Sequence, residues 1–181
     1  MEIIETGFNA LFLIKPTIFG DHRGYFYESF NARTFEEKTG LNVSFVQDNQ
    51  SYSSKGVLRG LHYQDAPYTQ DKLVRVLSGS VLDVVVDLRK EEPTYGQSYA
   101  IELSAENHLQ LFVPKGFAHG FSTLEDDTIF VYKCSDYYHK ASEGCILWND
   151  PSLAIDWKLD NPVISEKDRD GELFVNFKSP F

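Results

Sequence analysis

The chain has 181 residues, a formal net charge of -10, and 42% hydrophobic and 14% aromatic residues. That length fits one domain over residues 1–181 with a sizeable core. The acidic balance argues against a nucleic-acid partner, which needs a basic field, while leaving room for a phosphate ligand held by a few local cations. No basic region followed by a long apolar run opens the chain, and no apolar stretch reaches bilayer-spanning length, so neither a secretory signal nor a membrane partner is expected. Cys134 and Cys145 show no metal spacing, and a reduced cytoplasmic protein fits them better than a disulfide.

Residues 1–15 alternate loosely and suggest one or two strands. A turn follows, and the segment from Asp21 to Glu28 reads as an aromatic edge strand carrying Arg23 and Glu28. Residues 31–40 hold the one clear helix, with Thr34 and Glu37 as a capping box and Gly40 as its stop. The cluster Gln47-Asp48-Asn49-Gln50-Ser51 reads as a turn unless its amides contact a ligand.

The next stretch, Gly56-Val57-Leu58-Arg59-Gly60-Leu61-His62-Tyr63-Gln64, sets a histidine and an arginine among apolar residues. Regular alternation puts Val57, Arg59, Leu61 and Tyr63 on one face and Leu58, His62 and Gln64 on the other. His62 then points inward, while Arg59 leans towards an opening. Lys72 to Leu77 and Val81 to Leu88 read as two strands of a hairpin around Ser78-Gly79-Ser80, with Lys72 facing His62 across neighbouring strands. Further strands are expected at Tyr99 to Leu103, Leu109 to Val113, Ile129 to Cys134 and Ile155 to Trp157. Phe130, Tyr132 and Cys134 share a face. Pro114-Lys115-Gly116-Phe117-Ala118-His119 is a tight turn that delivers a histidine onto the following strand. Ser165 to Asp168 can cap a helical turn. Many short strands, glycine or proline turns and little helix predict an all-β sandwich or barrel.

A jelly roll with an internal pocket is the cupin architecture. A metal-binding cupin has His-x-His and a glutamate in its first motif and a further histidine in its second. Here the second motif is present at Pro114 to His119, but the first reads His62-Tyr63-Gln64, and no glutamate follows before Gly79. Two histidines alone rarely hold a metal tightly. The expectation is a pocket for acid–base chemistry with no metal and no cofactor.

The chain also resembles a known family along almost its whole length. Asp21 to Glu28 is similar to the family pattern D-x-R-G-x-F-x-E, and Gln47 to Gln64 to its central signature. Lys72 to Arg75, Val86 to Arg89, Pro114 to Phe121, Tyr132-Lys133 and Trp148 to Pro151 follow in the expected order. The family is dTDP-4-dehydrorhamnose 3,5-epimerase. The resemblance implies a cupin jelly roll with a few short helices, a homodimer, and a dTDP-4-keto-6-deoxyhexose substrate in dTDP-L-rhamnose synthesis. It also implies roles. His62 matches the base and Asp168 the carboxylate that orients it. Lys72 supplies charge near the developing oxyanion, and Tyr132 matches the acid on the far side. Arg23, Arg59 and His119 would contact the nucleotide-sugar, Glu28, Gln47 and Asn49 the polar edges of the nucleoside, and Tyr138 the thymine face. Glu143 and Lys167 match further ligand-binding positions.

Three alternatives stay open: a metal-dependent cupin using His62, Gln64 and His119, a silent nucleotide-sugar-binding cupin, and an epimerase that acts at C3 alone.

Overall fold

A computed structural model describes residues 1–181. Its strands are β1 (Glu2–Glu5), β2 (Phe12–Lys15), β3 (Phe19–Asp21), β4 (Gly24–Phe26), β5 (Gln47–Ser53), β6 (Leu58–Gln64), β7 (Lys72–Ser78), β8 (Ser80–Asp87), β9 (Ser98–Ser104), β10 (Gln110–Val113), β11 (Phe117–Thr123), β12 (Thr128–Cys134) and β13 (Glu143–Cys145). The α-helices are α1 (Ala32–Thr39) and α2 (Glu166–Arg169). A six-stranded sheet runs β1-β2-β10-β7-β12-β5 and a five-stranded sheet β13-β6-β11-β8-β9, while β3 and β4 form a separate hairpin. This two-sheet antiparallel arrangement is the expected all-β, cupin-like jelly roll.

Strand composition follows from the layer each strand occupies. On β7, Val74 and Val76 point into the space between the sheets with Phe130 of β12, while Leu73 turns outward. There Leu73 joins Ile14, Phe112 and Phe35, the buried residue of α1. β8 is almost continuously apolar because both its faces are covered. Val81 and Val85 enter the inter-sheet core, and Val84 and Val86 pack outward beneath Ile146, Trp157 and Phe177 from the C-terminal segment.

Four local expectations are corrected. β7 and β8 do not pair as a hairpin: β7 pairs with β10 and β12, β8 with β9 and β11. The chain instead changes sheet at Gly79, whose φ of +72° favours glycine and where an added Cβ would lie 2.2 Å from Thr128 Oγ1. Each strand finds complementary neighbours elsewhere, so short connection length does not decide pairing. Second, α1 is capped by Asn31, whose side-chain oxygen accepts from the Thr34 N–H at 3.1 Å, with Gly40 as stop at φ +74°. Asn31 stands in extended backbone just before the first turn, which places Thr34 and Glu37 inside the helix. Third, residues 155–157 form no strand; Trp157 is buried and its indole donates to the Trp148 carbonyl at 2.7 Å.

The fourth concerns β6. Its regular alternation fails at Gly60. Arg59 pairs with Phe121 and His62 with His119 on β11, with a register shift between them. Leu58 and Leu61 consequently both pack outward, and Arg59 and His62 both face the cavity between the sheets. Gly60 has φ +128°, and a Cβ there would sit 2.5 Å from the Gly120 Cα. Only glycine permits this backbone-to-backbone approach. No helix is long and apolar enough to cross a membrane.

Candidate active site

A cavity of about 720 Å³ opens between the sheets. β5 contributes Asn49, β6 Arg59 and His62, β7 Lys72, β11 His119, β12 Tyr132 and β13 Glu143, while Lys167 and Asp168 come from α2. A side pocket of about 160 Å³ shares His62, Lys72, Tyr132 and Glu143 and adds Gln47, Gln64, Cys134 and Tyr138. The structure therefore brings together every residue expected at the site except Arg23 and Glu28. Lys72 and His62, expected on neighbouring strands, belong to opposite sheets and line the cavity from its two sides.

His62 is held by Asp168. The imidazole Nε2 lies 2.6 Å from Asp168 Oδ1, and the Gly60 N–H donates to Oδ2 at 3.3 Å. Ser165 caps α2 by accepting from the Asp168 N–H at 3.2 Å, which fixes the carboxylate's approach. Burial pushes the Asp168 pKa up, but the bonds from His62, Gly60 and Ser165 outweigh it and hold the carboxyl below its ordinary value. An ionised carboxylate can only accept, so Nε2 carries a hydrogen, and in the neutral tautomer this leaves the lone pair on Nδ1.

Tyr132 and Lys72 lie on the opposite sheet. Burial, then the nearby Cys134, push the Tyr132 phenol up to about 12 despite Arg59, so it stays protonated at neutral pH. Burial lowers the Lys72 pKa, opposed by Cys134, Asp83 and Glu143. Arg59 donates to Ser53 Oγ through Nε and Nη2 at 3.3 Å, which leaves most of its fork available for an anion.

The mouth is laced together. The Tyr138 hydroxyl donates to Glu143 Oε2 at 3.0 Å, and Lys167 pairs with Oε1 of the same carboxylate. Burial raises the Glu143 pKa, but these two bonds outweigh it and lower it overall. The Tyr138 N–H donates to Gln47 Oε1 at 3.0 Å.

Two residues given no role in the epimerase reading of the sequence support the site. Asp83, fully buried on β8, lies 2.9 Å from His119 Nε2. A carboxylate midway along a run of apolar residues is the signal that could have found it, because a buried charge needs a partner. Gln64 stands where a metal-binding cupin has its second histidine. Its amide nitrogen donates to the Tyr68 and Tyr137 carbonyls at 3.1 and 3.4 Å, and its oxygen accepts from the His139 N–H at 2.9 Å. With both ends occupied, Gln64 braces the Tyr138 segment and does not fit as a ligand in a His62, Gln64 and His119 metal set.

Arg23 and Glu28 lie elsewhere. Arg23 sits at the tip of the β3–β4 hairpin in an ion pair with Asp21 at 2.5 Å, and Glu28 accepts from Asn31 Nδ2 at 3.1 Å. Neither lines the cavity.

The cavity of this jelly roll sets a carboxylate-held imidazole on one sheet opposite a protonated phenol on the other. Residues 5–176 match the family model for dTDP-4-dehydrorhamnose 3,5-epimerase. The relative of that name from Pseudomonas aeruginosa is 54% identical over 177 residues, covering 97% of each chain. The crystal structure of the enzyme from Elizabethkingia anophelis superimposes with a TM-score of 0.94 at 51% identity, covering 97% of each chain. That of dTDP-6-deoxy-D-glucose-3,5-epimerase from Legionella pneumophila, in complex with dTDP-4-keto-L-rhamnose, gives 0.93 at 52%, covering 98% of this chain and 94% of that one. This chain belongs to the dTDP-4-dehydrorhamnose 3,5-epimerase family.

Proposed function

We propose that the chain, acting as one domain over residues 1–181, converts dTDP-4-dehydro-6-deoxy-D-glucose to dTDP-4-dehydro-L-rhamnose by inverting C3 and C5. The observation that carries the reading is the Asp168-held His62, 2.6 Å from its carboxylate, facing the same cavity as Tyr132 from the opposite sheet. The ketone at C4 acidifies the hydrogens on both neighbouring carbons. His62 Nδ1 takes one of them, and Asp168 stabilises the imidazolium that forms. The charge that develops on the C4 oxygen is met by Lys72, whose desolvation makes each such contact stronger than it would be in water. Tyr132 then returns a proton to the opposite face; once His62 has lost its proton to solvent and Tyr132 has regained one, the same steps repeat at the second carbon. A proton taken from one face and replaced on the other is an inversion, which needs no oxidant and no metal.

Arg59 and His119 suit the diphosphate and sugar, and Gln47, Asn49, Tyr138, Glu143 and Lys167 the nucleoside end at the laced mouth. Arg23 and Glu28 enter through a homodimer. The hairpin that carries Arg23 exposes Phe19 at 63%, Tyr25 at 61% and Phe26 at 70%, an apolar surface a monomer rarely leaves uncovered. A second copy seated against it would put Arg23 within reach of the other chain's cavity. Two free cysteines fit a cytoplasmic setting.

The deciding experiment runs the reaction in D₂O with a ketoreductase to trap the product. Deuterium at both C3 and C5 of an L-configured sugar is expected. Label at C3 alone would replace the reading with a single-carbon epimerase.

A further inference from the structure

One reactive group beside His62 and Asp168 takes no part in the proposed acid–base chemistry. Cys145 on β13 stands directly opposite His62 in the strand register. Its thiol is free and half-buried, and it donates to the Ile146 carbonyl at 3.6 Å. One nitrogen of His62, the Cys145 sulfur and one oxygen of Asp168 all lie within 4.8 Å of one another. We propose that His62, Cys145 and Asp168 form an inhibitory site for a thiophilic divalent cation such as Zn²⁺.

Nitrogen, sulfur and carboxylate oxygen are all common zinc donors, and three protein ligands with an open fourth position are usual where zinc meets solvent. Bonds of about 2.0–2.3 Å set neighbouring donors about 3.3–3.8 Å apart around a tetrahedral ion. Cys145 needs only a small approach, while the His62–Asp168 contact of 2.6 Å must open by less than an ångström. The ion enters from the cavity, where the His62 side chain keeps 29% exposure. Binding displaces the hydrogen between Nε2 and Asp168, which passes through solvent to Nδ1, and releases the thiol proton to solvent. A coordinated cation removes the thiol proton outright. A neutral imidazole that gives one nitrogen's lone pair to a metal carries its proton on the other. Nδ1 then has no lone pair, and proton abstraction stops.

The inhibition half of this inference rests on the proposed epimerase reading; the binding half does not, and the test separates them. Untagged protein without substrate is titrated with Co²⁺. A thiolate-to-cobalt charge-transfer band saturating at one ion per chain is expected, lost in Cys145→Ser and in Asp168→Asn, and kept in Cys134→Ser. Cys145→Ala serves if the serine variant misfolds. In turnover assays Zn²⁺ should inhibit the wild type reversibly by chelator. Cys145→Ser should keep its basal rate and require at least about 10–100-fold more Zn²⁺, as expected for losing a donor. No band, a band that survives in Cys145→Ser, or equal Zn²⁺ sensitivity in that variant overturns the site. A cobalt band in a protein with no epimerase activity would instead leave the site standing and remove the epimerase reading.

Discussion

Arg59 and His62 face the same cavity although three positions separate them on one strand, where strict alternation would set them on opposite faces. Their partners on β11, Phe121 and His119, are only two positions apart. The extra residue is Gly60, seated against Gly120. Gly60→Ala is therefore expected to cost well over about 1 kcal/mol, since the side chain meets backbone at a φ that only glycine adopts easily. Activity should fall with it, because Arg59 or His62 must turn away. Urea melts and turnover of the purified variant measure both. Wild-type stability would show that β6 can carry the pair without the bulge.

The two faces of the chemistry should fail differently. His62→Ala is expected to lose both epimerisation and exchange of the C3 and C5 hydrogens with solvent, because no enolate forms. Tyr132→Phe keeps the ring and deletes the acid. It should put deuterium into unepimerised substrate, while net epimerisation drops on the order of 10²–10⁴-fold. Deuterium in recovered substrate, measured beside product, decides between them. Near-normal epimerisation by Tyr132→Phe would refute its acid role.

Asp168 links catalysis to acid stability. Asp168→Asn no longer enforces the His62 tautomer, and turnover should drop on the order of 10³–10⁴-fold. The folded-state pKa of Asp168 lies below its ordinary 3.8. Its ionic contribution to stability is thus present above that value and disappears as pH falls through the folded pKa. Melting curves of wild type and variant should differ most near neutrality and converge in acid. A stability gap that is constant from neutral to strongly acidic pH would contradict the assigned linkage.

Lys72 should show the opposite trade. Its folded pKa lies below 10.5, so between the two values the unfolded state binds more protons and stability rises with pH. Below that window the chain carries the cost of a desolvated cation. Lys72→Met should raise stability at neutral pH and flatten the alkaline rise. Turnover should fall about 10²–10³-fold through loss of oxyanion stabilisation. Differential scanning calorimetry across pH, paired with kinetics, tests both; a less stable Lys72→Met protein would mean the ammonium is well paired.

The proposed dimer is tested by mixing. Arg23→Ala and His62→Ala homodimers should each be nearly inactive. If Arg23 serves the other chain's cavity, a refolded equimolar mixture should regain roughly a quarter of the wild-type sites, because half the dimers are mixed and each has one intact site. Recovery near zero would place Arg23 in its own chain's cavity, and an active Arg23→Ala homodimer would place it outside the reaction.

The sequence alone determined what neighbouring residues decide together. Gly40 ends α1, Ser165 begins α2, Phe130, Tyr132 and Cys134 share a face, and the apolar run at Val81 to Leu88 marks a strand. These follow from turn chemistry and side-chain period, which act over a few positions. Motif resemblance supplied most of the cavity, including Asp168, whose partner lies 106 positions away. Only the tertiary structure decided the rest. The sheet change at Gly79, the bulge at Gly60, the Asp83 support under His119 and the use of Gln64 as a brace all depend on distant partners: Thr128, Gly120, His119 and the segment from Tyr137 to His139. Whether a strand pairs with its neighbour or crosses to the other sheet is set by the summed burial and hydrogen bonding of both sheets, and no local stretch contains that sum.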